Sequence, residues 1–237
     1  MHQQSLISCL LSPFSKRKIN KLPFLMVTLL VCCCLMQFAF AGSYEDFFNA
    51  IELDKADQIS IILAKGFDPN TPSENGEPPL IVAVKKGSVK VVQTLLSIKG
   101  IDIDRTNLQD ENALMFAVFN NNIEIAQRLI NSGSEVNKTG WTPLHYASTK
   151  GNILMIKLLL DQSAYIDAES PNGTTPLMMA SRYADEQSVR FLIEQGADPT
   201  IKNQLDLRAS DFANMRNNAS VSSYLLKQEQ IWKELHH

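Results

Sequence analysis

The chain has 237 residues, 45% hydrophobic and 20% charged, an ordinary globular balance with enough apolar side chains to bury a core. All four cysteines (Cys9, Cys32, Cys33, Cys34) precede residue 42, so the remainder can hold no disulfide, no thiolate metal site and no cysteine nucleophile. Without its first 41 residues the chain loses four Lys and Arg and no acid, which moves its net charge from −3 to −7. An acidic surface repels phosphate backbones and argues against nucleic acid as the partner.

The N-terminus differs in kind from the rest. Lys16, Arg17, Lys18 and Lys21 stand there without an acid, and an apolar run follows from Leu22 to Phe40. Ala39-Phe40-Ala41 then places small residues at the two positions a signal peptidase reads. This order predicts a secretory signal peptide over residues 1–41, cleaved between Ala41 and Gly42. Residues 42–237 are then a single domain, periplasmic or secreted and free of the membrane. The alternative is a retained leader acting as a membrane anchor, since about 20 apolar residues can span a bilayer.

Past the leader the chain repeats. Phe47, Leu80, Leu114, Leu144, Leu177 and Ser210 recur at spacings of 33, 34, 30, 33 and 33 residues. Three positions after each stands an alanine: Ala50, Ala83, Ala117, Ala147, Ala180 and Ala213. Residues three apart share a helical face, and alanine there permits close approach of a neighbouring helix. Thr142-Pro143 and Thr175-Pro176 read as helix starts, with a hydroxyl cap and then a proline where no backbone N–H is needed. A second apolar helix is predicted to end in Ile62-Leu63, Leu95-Leu96, Leu129-Ile130, Leu159-Leu160, Leu192-Ile193 and Leu225-Leu226. Gly66, Gly100, Gly133 and Gly196 follow four of these pairs as left-handed stops.

A period near 33 built from two helices and a turn resembles the ankyrin-repeat family. Thr142-Pro143-Leu144-His145 matches that family's tetrapeptide in full, and Thr175-Pro176-Leu177-Met178 departs only at its last position. The resemblance runs from about Ser43 to Leu226, and the combination with a leader is similar to exported bacterial members. It implies a mainly α solenoid of about six helix–turn–helix repeats with short loop fingers, capped at both ends. The repeats are expected near 43–70, 71–104, 105–137, 138–168 and 169–200, with a C-terminal cap over 201–237.

Departures from the pattern carry their own expectations. Asp54, Asn121 and Asn217 replace the glycine between the two helices and tolerate a left-handed turn, whereas Ala184 does not, so the fifth repeat should turn differently. Ser163 stands in place of a helix-ending glycine. The step from Leu114 to Leu144 is three residues short, so the link at residues 137–140 lacks room for a full finger. The last helix should run on through Trp232, which is expected to fold back on the last repeat.

No catalytic constellation, cofactor site or metal site is visible: there is no Gly-x-Ser-x-Gly elbow and no phosphate-cradling glycine loop. The resemblance implies that His145 is structural and ties neighbouring loops. It also implies that partners are met just before each first helix and at its exposed end. Among the residues so placed, Phe119, Trp141, Lys150, Arg182 and Tyr183 are the candidates for binding. Aromatics and arginine dominate interface energies, and Trp141, Arg182 and Tyr183 are expected to centre the face. The competing reading packs Phe119 and Tyr183 under loops and uses Trp141 to fill the shortened link. The expected function is a non-catalytic, monomeric scaffold that binds a protein partner. Support for oxidative-stress defence is an analogy with exported relatives. The alternatives are an inhibitor or immunity protein that blocks an enzyme or toxin, and a membrane-anchored adaptor or exported effector.

Overall fold

The computed structural model describes residues 42–236, so the leader and its junction at Ala41 lie outside the described residues. The residues from Glu45 onward form one compact unit. Its first helix, α1, is described over 42–52. It is followed by α2 (Ala56–Ala64), α3 (Pro79–Lys86), α4 (Val89–Leu96), α5 (Ala113–Phe119) and α6 (Ile123–Asn131). Then come α7 (Pro143–Lys150), α8 (Ile153–Asp161), α9 (Pro176–Tyr183), α10 (Glu186–Glu194), α11 (Ala209–Met215) and α12 (Ala219–Leu235). No strand occurs among the described residues. From α3 to α11 the odd helices stack on one another, while α2, α4 and α6 stack behind them. This is a helical-repeat solenoid.

The register explains the stack. The reference residues Phe47, Leu80, Leu114, Leu144, Leu177 and Ser210 are all buried, and the six alanines three positions on have no exposed surface. An alanine at every inner-helix contact lets successive helices approach closely, and a larger side chain would push them apart. On the even helices the first member of each apolar pair, such as Leu95, Leu129 and Leu159, is buried.

The turns follow the side chains. Gly87 and Gly151 are left-handed, and so are Asp54, Asn121 and Asn217 in the same place, with φ between 51° and 59°. Ala184 instead stays extended at φ −93°, ψ −176°, and Asp185 caps α10 by accepting from the Ser188 N–H at 2.8 Å. Ser163 takes the left-handed role itself, with φ 63°. One detail at α7 differs from expectation. The Thr142 hydroxyl lies 2.8 Å from His145 Nδ1, which takes the place of a backbone N–H as its partner, whereas the Thr175 hydroxyl does accept from the Met178 N–H.

Four of the links carry a finger closed by the same backbone bonds. The N–H of Ser73, Asn107, Ser170 and Asn203 donates to the carbonyl four residues on, and the residue three on donates back. The link at 137–141 has no such bonds, so the row of fingers has a gap there, as the short spacing predicts. Behind the fingers runs a ladder of side-chain acceptors. Asn70, Asp104, Asn137 and Asp167 accept from the N–H of Asp102, Glu135, Tyr165 and Asp198 in the next repeat, at 2.8–3.1 Å.

The stack closes at α12, whose 17 residues outrun the other outer helices. Trp232 stays partly exposed and stacks on His236 of its own helix end, at 4.3 Å between ring centroids. The side chains that α12 buries include Val221, Leu225 and Glu229, the last against Ser210.

Candidate functional site: a groove on the inner helices

With the reference residue and its alanine facing the core, the residue two positions after the reference faces the other way on a 3.6-residue helix. That position holds Val82, Phe116, Tyr146, Met179 and Phe212, all partly exposed. They form a stripe along the inner helices that sequence reasoning passed over. Looking only at helix entrances and ends missed the middle of each helix. The signal was available, since a large side chain recurs there at the period of the repeat.

The stripe deepens into a groove of about 250 Å³ between α5, α7 and α9, lined by Phe119, Trp141, His145, Tyr146, Thr149 and Met179. Trp141 stands at the entrance of α7 with its ring edge-on to the His145 imidazole, centroids 5.2 Å apart. Phe119 meets Tyr146 edge-on at 6.3 Å. Such edge contacts set ring orientation before any partner arrives. The Lys150 ammonium sits 3.9 Å above the Phe119 ring.

The structure therefore brings Phe119, Trp141 and Lys150 together. Arg182 and Tyr183 stand one turn beyond Met179 on the same helical face, with the guanidinium 6.0 Å from the tyrosine ring. Phe119 is 42% exposed and Tyr183 56% exposed, so neither packs under a loop. Gly140 is left-handed at φ 82°, where a Cβ would lie 3.6 Å from Pro171 Cγ of the following finger, and Lys138 pairs with Asp110 of the preceding one. The short link is thus tied to the preceding finger, and no finger stands beside Trp141.

The floor is rigid. Thr142, Pro143, Leu144 and His145 are buried, as are Thr175, Pro176 and Leu177. His145 Nδ1 accepts from the Thr142 N–H at 3.1 Å, and its Nε2–H donates to the Thr174 carbonyl at 2.9 Å. That pairing ties the fourth repeat to the finger of the fifth and fixes the neutral tautomer. Burial lowers the His145 pKa to about 4, outweighing its bond to Thr174. Tyr146 donates to Glu111 Oε1 at 2.7 Å, and burial followed by that carboxylate pushes its phenol pKa up. Neither side chain is poised for proton transfer near neutral pH. Among the described residues no three His, Asp or Glu side chains converge as metal ligands. No helix among them is long and apolar enough to cross a membrane.

A family profile for ankyrin repeats, in three copies, matches residues 47–139 and 114–203. The chain belongs to the ankyrin-repeat family. Ankyrin relatives include the nuclear factor NF-kappa-B p105 subunit of Mus musculus, 33% identical over 135 residues, or 54% of this chain and 14% of that protein. The transient receptor potential cation channel subfamily A member 1 of Homo sapiens is 28% identical over 169 residues, 65% of this chain and 15% of the channel. The chain thus spans about a seventh of the length of these relatives. Among solved structures it is similar to a chain in the complex of a predatory endopeptidase from Bdellovibrio bacteriovorus with an immunity protein. The TM-score is 0.67 and the identity 28%, over 77% of this chain and 97% of that one. An ankyrin repeat domain from Acinetobacter baumannii AYE has the same fold, with TM-score 0.67 and 19% identity over 77% of this chain and 96% of that one.

In ankyrin terms the groove is a local widening of the inner-helix face where one finger is missing. Its surface suits binding. It offers aromatic and thioether surface, two cations at one end and the Tyr146–Glu111 pair at the other.

Proposed function

We propose that this ankyrin protein is a non-catalytic, monomeric scaffold exported from the cytoplasm, and that it captures a protein partner on its inner-helix face, centred on Trp141 and Tyr183. Ankyrin repeats are protein-binding scaffolds. The observation that carries the site is the groove, where Phe119, Trp141, Tyr146 and Met179 leave apolar surface open on the inner-helix face. Aromatic side chains held in place by a rigid floor are the usual anchors of an interface. The basic, apolar and small-residue order of residues 1–41 supports export, with Gly42 as the first residue of the exported chain.

The test is affinity capture from the matching compartment, comparing the wild type with a Trp141→Ala/Tyr183→Ala variant. The variant should keep its helical circular dichroism and hold its partner at least about tenfold more weakly, a loss of about 1.4 kcal/mol. Equal capture by both proteins would remove the groove as the binding site. Mass spectrometry of the N-terminus tests export. Gly42 as the first residue fits a processed protein, and Met1 fits the membrane-anchored adaptor.

A second reading, an inhibitor or immunity protein, draws on the 28% identity to a chain in the endopeptidase–immunity protein complex. It requires a one-to-one complex in which the partner's hydrolytic activity is lost. Full activity of the captured partner at saturating ankyrin protein would rule this reading out.

A further inference from the structure

Charge on the inner-helix face is not evenly paired. Lys85 is bridged to Glu77, Lys86 to Glu52 at 2.6 Å, and Lys138 to Asp110. Glu111, the carboxylate at the other end of the groove, accepts from Tyr146 at 2.7 Å and from Asn107 at 2.9 Å. Lys150 and Arg182 differ. Each lies against an aromatic ring, on Phe119 and Tyr183, as Lys85 lies over Phe116, but unlike Lys85 neither forms an ion pair among the described residues. They sit at the C-terminal ends of adjacent inner helices, α7 and α9. A chain that carries net negative charge past residue 41 therefore presents two unneutralised cations beside an apolar groove.

The volume narrows the occupant. A cavity of about 150 Å³ accommodates a benzene ring, and drug-sized ligands need about 300–1,000 Å³. A groove of about 250 Å³ takes one large side chain, or two smaller ones, from a longer chain. The missing finger at 137–141 lets a backbone lie across the groove beside Trp141, where a full finger would stand.

We infer that the groove binds an acidic segment of a partner protein. One large apolar side chain of that segment enters between Phe119, Trp141 and Met179, and a neighbouring Asp or Glu pairs with Lys150 and Arg182. Protein binding at the inner-helix face is the premise of this inference, and the chemistry of the bound segment is what it adds. The two cations are held over rings before binding, so their pairing with a carboxylate requires little further ordering. The carboxylate also steers the segment into one direction along the groove, since the opposite end is already occupied by Glu111.

The experiment is selection of random peptides displayed on phage against protein purified from cells expressing the full chain. Selected peptides are then titrated by fluorescence anisotropy against three variants: Trp141→Ala, Trp141→Ala/Tyr183→Ala and Lys150→Glu/Arg182→Glu. Circular dichroism confirms that each variant is folded. The expected result is enrichment of an aromatic or long aliphatic residue next to Asp or Glu, with binding that weakens as salt rises. Trp141→Ala should lose at least about tenfold in affinity. The charge-reversed variant should lose the acidic peptides and gain their Lys-substituted versions. Peptides that need Trp141 and Tyr183 but are not acidic, or that ignore the charge reversal, overturn the chemistry and leave the inner-helix face as a binding site. Peptides indifferent to both aromatics overturn the inference and its premise together. Failure to enrich any sequence also overturns the inference. So does a dimer in light scattering that Lys150→Glu/Arg182→Glu dissociates, because a second copy would then be the occupant.

Discussion

Ser210 donates its hydroxyl hydrogen to Glu229 Oε1 at 2.6 Å, with both side chains buried and Arg208 Nη1 3.8 Å from the other carboxylate oxygen. Ser210 holds the position that a leucine holds in the four repeats before it. An apolar residue in an interior repeat is covered by the next inner helix, but the last repeat has no successor. Here α12 runs on and lays Glu229 over the first turn of α11, a favourable place for a carboxylate. Ser210→Ala leaves that buried carboxylate without a donor and should cost about 1–3 kcal/mol in urea unfolding. Combining it with Glu229→Leu should cost less than the two single changes together, and strict additivity would show that the pair is not coupled.

His145 makes stability depend on pH with a predictable sign. Its pKa falls from 6.5 to about 4 in the folded chain, because burial disfavours the charged ring. The unfolded chain therefore takes up a proton first as pH drops. Its contribution is complete above pH 6.5 and is lost progressively between pH 6.5 and about 4. The full swing is about 3 kcal/mol. His145→Gln removes this titration, so the stability gap between the two proteins should shrink across that window. Urea midpoints above and below the window measure it, and a constant gap would contradict the assignment.

Gly151 and Gly66 both need a left-handed backbone, at φ 68° and 91°, but only one is crowded. A Cβ on Gly151 would come within 3.0 Å of Ala184 Cβ and 3.1 Å of Ser188 Oγ in the next repeat, whereas one on Gly66 would meet nothing within 4 Å. Gly66→Ala should cost only the backbone strain, about 1–2 kcal/mol. Gly151→Ala should add the cost of overpacking, about 1–3 kcal/mol more. Thermal unfolding of the two variants reads the difference directly.

Asn137 bridges two repeats by donating to the Ser163 carbonyl and accepting from the Tyr165 N–H, both at 2.8 Å. Asn137→Ala should lose both bonds, about 1–2 kcal/mol, and speed amide exchange at Tyr165. Asn137→Asp retains the acceptor and should keep Tyr165 protected while losing about half as much stability. Equal exchange at Tyr165 in both variants would mean that the ladder does not restrain this loop.

Much of the fold was legible because a repeat writes the same local instruction many times. A leucine followed three residues later by alanine defines one face of a short helix. Left-handed Asp54, Asn121 and Asn217 could be read from residue type alone, and so could the different turn at Ala184. The gap in the finger row followed from counting residues between Leu114 and Leu144. Trp232 was not legible in this way. A bare tryptophan is costly, and α12 offers His236 one turn away as a stacking partner, while Glu229 of the same helix is buried against Ser210.

The candidate groove divides along the same line. Residue spacing set the register, and with it that Phe119, Trp141, Lys150, Arg182 and Tyr183 lie at helix entrances and ends. Those are one-dimensional facts set by the 3.6-residue period and by chain connectivity. Packing between repeats decided that Phe119, Trp141, Tyr146 and Met179 converge from three of them on one cavity. It also decided that Lys85 finds a carboxylate as well as a ring, whereas Lys150 rests on a ring with no ion pair among the described residues. Convergence depends on how closely neighbouring inner helices stack and on the room left by an absent finger. Those distances arise between repeats, where no local pattern in the chain records them.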